Sequence, residues 1–435
     1  MTRRILVPCI ALTVSTMLLG GCAVRQPDAA PSPDADSAGQ ATTAVAPEVT
    51  VVSPDAEAAS ASGTDSPGAE APGTATSEEA SSASADPAGI EFVAGDTLAL
   101  EVDGGEFESV ELVDLDHDRV APDAGSVAAG GTHWQASAGL AGGAAYEWRA
   151  RTVSTDGQRH ETSGTIETAS ATGSPLRARS VIADDETVGV AAPIIINFAG
   201  TVTEEYRDDV EHRLSVEVTD EDGSLREVDG GWAWLPDIAG HSRVHYRPKE
   251  FWPAHSQISV DLPFEGVRFS DSSHGGRDMT LDFEIGREQL VEADAESHRM
   301  VVTRDGEEIW DFPASLGMPR APSFNGTHIV MSKAESYTMT SETWGYSTPV
   351  NWAVRIHNNG EFIHAAPWSV SAQGARNVSH GCINLSTERA REYYESALYG
   401  DPVEITGSSV SLTPESGDVS DWVYEWDEWQ DLSAL

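Results

Sequence analysis

The chain has 435 residues, too many for one ordinary core and enough for two to four units of roughly 100 to 150 residues each. Its 71 acidic against 26 basic residues give a formal net charge of -45, which repels phosphate backbones at long range and excludes nucleic acid as a partner. Only three cysteines occur, Cys9, Cys22 and Cys382, too widely separated in context to form a disulfide framework.

The start of the chain reads as a secretory signal: the basic pair Arg3 and Arg4 precedes an apolar run from Ile5 that contains Cys9. Leu19-Gly20-Gly21-Cys22 resembles the bacterial lipobox, which implies removal of residues 1–21 and a lipid on Cys22. Several acyl chains on one residue hold a protein to a bilayer, so the chain is expected outside the cell, on the membrane and facing the wall. Residues 23–88 are dominated by Ala, Ser, Pro, Thr, Gly, Asp and Glu, with no aromatic residue and Arg25 as the single base. Such a segment cannot bury a core and is expected to be a disordered tether. Its end-to-end distance would be on the order of 45 Å, from roughly 5–6 Å times the square root of its length.

Residues 89–172 carry short period-two runs between Gly and Asp turns, such as 98–102 and 146–150. Residues 173–286 repeat the pattern at 194–198, 214–218 and 258–262. Alternation of this kind predicts half-buried strands, and the two regions read as successive antiparallel sandwiches acting as spacers. From 287 onward two hairpins are expected. One joins 300–304 to 308–312 through Asp305-Gly306, and the other joins 352–356 to 361–364 through Asn359-Gly360, placing His364 at a strand end. Cys382 follows eighteen residues later, on a loop ahead of a helix that Ser386 would cap, running through Ala390, Tyr393, Tyr394 and Ala397 and ending at Gly400. Residues 403–405 supply a further strand. The tail from 408 to 435 holds Trp422, Trp426 and Trp429 at near-helical spacing, an apolar stripe expected to pack on the catalytic unit.

The chemistry concentrates in Ser379-His380-Gly381-Cys382-Ile383-Asn384 and, before it, Phe362-Ile363-His364-Ala365-Ala366-Pro367-Trp368. A cysteine attacks carbonyls as the thiolate, and a neighbouring imidazole can take its proton. Gly381 would let the backbone turn sharply and aim successive N–H groups at a developing oxyanion. His364, His380 and Cys382 are also zinc-ligand types, but no cysteine cluster or second carboxylate accompanies them.

These runs resemble the signature of the L,D-transpeptidase family with its YkuD-type catalytic domain, in which Ser/Thr-His-Gly-Cys follows a more N-terminal His. The resemblance covers about 287–406, and Ala366-Pro367-Trp368-Ser369 with the two upstream sandwiches is similar to the actinobacterial and mycobacterial lipoprotein subgroup. It implies a mainly β, multidomain chain: immunoglobulin-like sandwiches at 89–172 and 173–286, a β-rich catalytic domain at 287–407 with a short helix after the nucleophile, and an extension at 408–435. Cys382 would be the acyl-accepting nucleophile and His364 the general base, with His380 and Gly381 shaping the nucleophile loop. Tyr346 would come from a flap over the donor site, Asn384 would touch substrate or hold the loop, and Asn359 and Gly360 would form a substrate-lining turn. Neither metal nor organic cofactor is implied. Two departures stand out: Ala365 occupies a position where the mycobacterial enzymes have Ser, leaving only its carbonyl to orient His364, and the flap between 339 and 346 is shorter.

The implied reaction is attack of Cys382 on the L-centre carbonyl of the third-position diaminopimelate of a tetrapeptide stem, expelling D-Ala and leaving a thioester. The side-chain amine of a second stem would then close a cross-link. Peptidoglycan stem peptides are thus the expected partners, with carbapenem-type β-lactams as covalent ligands. Water or a protein amine as acceptor, or a non-catalytic wall-binding lipoprotein, are the alternatives left open.

Overall fold

The structure is a computed structural model that describes residues 46–52, 90–117, 119–120 and 124–435. The expected signal segment, Cys9 and the lipidation site Cys22 lie outside the described residues.

The first sandwich pairs two four-stranded sheets. One runs in the order Glu48–Val52, Ala99–Asp103, His133–Gln135, Ser126–Val127, and the other Arg119–Val120, Gly105–Asp114, Ala145–Ser154, Arg159–Glu167. Alternate residues of these strands bury Leu98, Leu100, Trp134, Tyr146 and Trp148 between the sheets. The outermost strand corrects the expectation of an uninterrupted tether from 23 to 88. Glu48–Val52 pairs antiparallel with Ala99–Asp103, Val49 opposite Val102 and Val51 opposite Leu100. Composition averaged over a long Ala/Ser/Pro segment conceals a five-residue run with three valines, whose β-branched side chains suit a sheet edge and cover it.

The second sandwich sets Ala178–Ser180, Ile194–Phe198, His241–Pro248 and Gly230–Ile238 against Thr187–Val188, Met279–Ile285, Gln257–Leu262 and Ser215–Thr219. Phe198, Phe264 and Phe269 meet edge-on or tilted at 5.2–5.9 Å in its centre. It joins the next domain through backbone bonds from Gly189 to Tyr399 and from Ala191 to Gly400, at 2.6 and 2.9 Å. At the same junction the Arg287 guanidinium grips the buried Asp401 carboxylate with two bonds of 2.6 Å.

The third domain wraps two sheets around one core. The larger runs Glu307–Pro313, Arg299–Arg304, Gln289–Asp294, Pro402–Thr406, Phe324–Ile329, Val410–Ser411; the smaller runs Ser332–Ser341, Tyr346–Arg355, Phe362–Ala365, Ile383–Leu385. Asp305 and Gly306 both take positive φ, +50° and +79°, the primed turn that matches strand twist. Ser386 caps the helix Thr387–Ser396 by accepting from the Arg389 N–H, and Ala390 and Tyr393 plug that helix into the core. The helix stops at Ser396 rather than at Gly400, because Ala397 is already extended. Gly400, at φ +81°, instead turns the chain where Ala192 of the second sandwich leaves no room for a Cβ.

The tail divides between two neighbours: Val410–Ser411 joins the catalytic sheet beside Phe324–Ile329 and Asn358 Nδ2 donates to Asp418, as expected, whereas the tryptophan stripe departs from expectation and packs on the second sandwich. Trp429 is fully buried against Ala233 and Leu235, and its indole N–H donates to the Gly231 carbonyl at 3.0 Å. Trp422 donates to Ala191 O at 2.8 Å. The rings of Trp422, Trp426 and Trp429 surround the Arg247 guanidinium at 4.7, 5.2 and 4.9 Å, and burial pulls this arginine down to about 10. Periodicity identified the apolar stripe but carries no information about which neighbour receives it. Trp429→Ala is expected to cost about 3–5 kcal/mol, as aromatic truncations in a packed core do, and to expose the tail to protease; denaturant unfolding and limited proteolysis read the two effects.

Candidate active site

Two neighbouring strands build the site. Phe362–Ala365 and Ile383–Leu385 pair in parallel, with Ile363 beside Ile383, His364 beside Asn384 and Ala365 beside Leu385. Apolar Ile363, Ala365, Ile383 and Leu385 face the domain core. Period-two alternation therefore turns His364 and Asn384 to the other face, with Cys382 at the head of its strand on that side. All three line a cavity of about 220 Å³, together with Ser379, His380 and Tyr346. The hairpin formed by Ser332–Ser341 and Tyr346–Arg355 overhangs it, and Tyr346 packs against an apolar patch containing Met339, Val350, Phe362 and Cys382.

His364 is oriented as the sequence left open. Its Nδ1 lies 3.0 Å from the Ala365 carbonyl, which only accepts, so Nδ1 carries the hydrogen and Nε2 is the basic nitrogen. Burial pulls the imidazole below its ordinary value, with the Ala365 carbonyl opposing. Burial pushes the Cys382 thiol up to about 12, against a backbone hydrogen bond from Phe362. The thiol hydrogen is directed at Gly360 O, 3.8 Å away, rather than at His364. The resting pair is therefore a neutral thiol beside a neutral imidazole, and the proton must leave sulfur as the nucleophile engages its carbonyl.

The loop before the nucleophile is braced from inside. Ser379 Oγ donates to Cys382 O at 2.6 Å and accepts from the Gly381 N–H at 3.2 Å, while Ser323 Oγ donates to Gly381 O at 2.5 Å. The Gly381 N–H, expected to aim at an oxyanion, is occupied here by Ser379 Oγ. The Gly381 φ of +119° is what demands glycine there. His380 is exposed and its ring meets those of Trp344 and Tyr346 at a tilt, at centroid distances of 4.9 and 5.3 Å. Asn384 donates through Nδ2 to Ser369 Oγ at 3.3 Å, and its backbone exchanges bonds with Ser315.

The Asn359-Gly360 turn is not on the cavity wall. Gly360 reaches Cys382 through its carbonyl, but the Asn359 side chain is occupied by Glu361, donating to Oε2 at 2.7 Å and accepting the Glu361 N–H. Glu361 is the feature that sequence reading missed. It is buried, and it also takes the Phe324 N–H and His328 Nε2, each at 3.0 Å, so that three donors converge on one carboxylate behind the nucleophile. Nearby, burial followed by the influence of His328 drives His357 down to about 4. The available signal was an acid at an inward position between Gly360 and Phe362. Among the described residues no three His, Cys, Asp or Glu side chains converge as metal ligands.

Comparison with known proteins bears on this geometry. The Bacterial Ig domain family matches residues 91–268, a stretch that spans both sandwiches, and the L,D-transpeptidase catalytic domain family matches residues 288–405. L,D-transpeptidase 5 of Mycobacterium tuberculosis is 42% identical over 347 residues, 78% of this chain and 73% of that protein. L,D-transpeptidase 2 of the same species is 32% identical over 255 residues, 57% of this chain and 60% of that protein. A solved L,D-transpeptidase from Mycobacterium smegmatis is 35% identical, covering 54% of this chain and 100% of its own, with a TM-score of 0.44. With similarity of this extent, and with immunoglobulin-like and catalytic units in this order, the chain belongs to the L,D-transpeptidase family.

Proposed function

We propose that this L,D-transpeptidase joins two peptidoglycan stems at their third-position diaminopimelate residues through a thioester on Cys382. The observation that carries the reading is the shared cavity, in which the Cys382 sulfur and a His364 ring with a free Nε2 face the same space. Sulfur bonds to the L-centre carbonyl carbon of the donor tetrapeptide, and its proton passes to His364. The tetrahedral adduct collapses with cleavage of the bond to D-Ala, whose amine leaves with that proton. The side-chain amine of a second stem attacks the thioester and gives its proton to His364; the carbon–sulfur bond breaks as the new amide forms, and the departing Cys382 sulfur takes that proton back from His364. The same thiol would open a carbapenem-type β-lactam ring to a covalent adduct. Export and a lipid on Cys22 would hold the enzyme on the membrane side of the wall.

Incubation with disaccharide-tetrapeptide is expected to yield a dimer lacking one D-Ala by mass spectrometry, and none with Cys382→Ala. Full cross-linking by that variant would reject the mechanism; a product shortened but never joined would make water the acceptor. His364→Ala is expected to lower the rate by about 10²–10⁴, the usual contribution of a positioned base.

A thiol raised to about 12 from 9.0 is almost wholly protonated near neutrality. Iodoacetamide alkylation of Cys382 should therefore climb about tenfold per pH unit through the alkaline range, in step with the thiolate fraction. Levelling near the ordinary thiol value would contradict the burial described above. For the anchor, radiolabelled palmitate should enter the full chain and not its Cys22→Ala variant; equal labelling would place the lipid elsewhere.

A further inference from the structure

The overhanging hairpin touches the far side of the cavity through its tip. Trp344, in the turn between Ser332–Ser341 and Tyr346–Arg355, lies on His380, and Arg320 lies on Trp344 with its guanidinium carbon 5.1 Å from the ring centroid. Arg320 is exposed and its Nε donates to Met318 Sδ at 3.1 Å. Among the described residues it has no carboxylate partner, whereas Arg287, Arg299 and Arg391 of the same domain are paired with Asp401, Asp311 and Glu395.

The cavity wall contains neither lysine nor arginine. Burial lowers both of its imidazoles, His364 and His380, and Arg320 adds to the effect on His380. In a chain of net charge -45 an anionic ligand approaches against the long-range field, so its retention at the mouth requires a local cation. With Nε engaged by Met318 Sδ, the two terminal amino groups of the guanidinium over Trp344 remain to donate two bonds to a carboxylate.

We propose that Arg320, held on Trp344, binds a free carboxylate of the donor stem peptide and so sets which donor carboxylate must remain unamidated. This rests on the reading of the chain as a stem-peptide acyltransferase. The bound carboxylate lies at the mouth beside His380, and the stem runs from there inward to Cys382.

The test is a substrate-by-variant cycle on the full chain. Tetrapeptide stems carrying a carboxamide at one carboxylate at a time are turned over by the wild type, Arg320→Gln and Arg320→Lys. One amidation should raise the wild-type KM about three- to tenfold with kcat little changed, as loss of a charge-assisted pair at a partly exposed site would. In Arg320→Gln that amidation should have less than about a twofold effect, Arg320→Lys should keep part of the discrimination, and added salt should narrow the gap. The proposal is overturned when every amidation costs Arg320→Gln as much as it costs the wild type. Absence of turnover by the wild type on all stems counts against the acyltransferase reading instead. Binding of the free-acid stem to Cys382→Ala, with and without Arg320→Gln, then tests the arginine alone: weaker binding with the second change supports it, and equal Kd rejects it.

Discussion

The site depends on the parallel pairing of Phe362–Ala365 with Ile383–Leu385. Parallel neighbours cannot be joined by a tight turn, so the chain between them makes a long excursion through Pro367–Ser369 and the nucleophile loop. That excursion brings His364 beside Asn384 and leaves Cys382, at the head of the same strand, on the same cavity. Because the side-chain period is two, a slip of one residue in Phe362–Ala365 would send His364 into the core and Ile363 into the cavity, and the same slip in Ile383–Leu385 would turn Asn384 inward. Register is held by the apolar set on the opposite face, and the Ser315–Asn384 backbone exchange clamps the second strand from outside the sheet.

Around this frame the domain spends polar groups on holding the nucleophile loop still. Ser379, Ser323 and Ser315 satisfy the backbone of a segment that follows no regular pattern, and Glu361 gathers three donors behind it. A carboxylate buried this close opposes ionisation of the thiol, in the same direction as burial itself. The consequence is a nucleophile kept protonated until a substrate displaces solvent and brings a carbonyl into reach. Burial lowers His364 as well, which favours its neutral, basic form.

The strands, both hairpin turns and the Ser386 cap were legible in the sequence because each is a local pattern whose physics acts within a few residues. The motif also named Cys382 and His364, since a thiol, a glycine and a strand-end imidazole form a tight constellation. What stayed hidden was contact between distant segments. Glu361 with His328, and Trp344 with His380 and Arg320, are meetings set by how two sheets fold over one another, and no spacing along the chain encodes them. The tail erred for the same reason: its stripe was visible, its receiving surface was not. The strand Glu48–Val52 was lost differently, because averaged composition outvoted a run too short to shift it.

That strand alters the geometry of attachment. The chain enters the first sandwich at Glu48, whose strand lies antiparallel along Ala99–Asp103 through five residue pairs. Any pull on the chain ahead of Glu48 is borne first by the hydrogen bonds of this one edge strand. Peeling it away would uncover the backbone of Ala99–Asp103 as a new sheet edge, open to pairing with another strand.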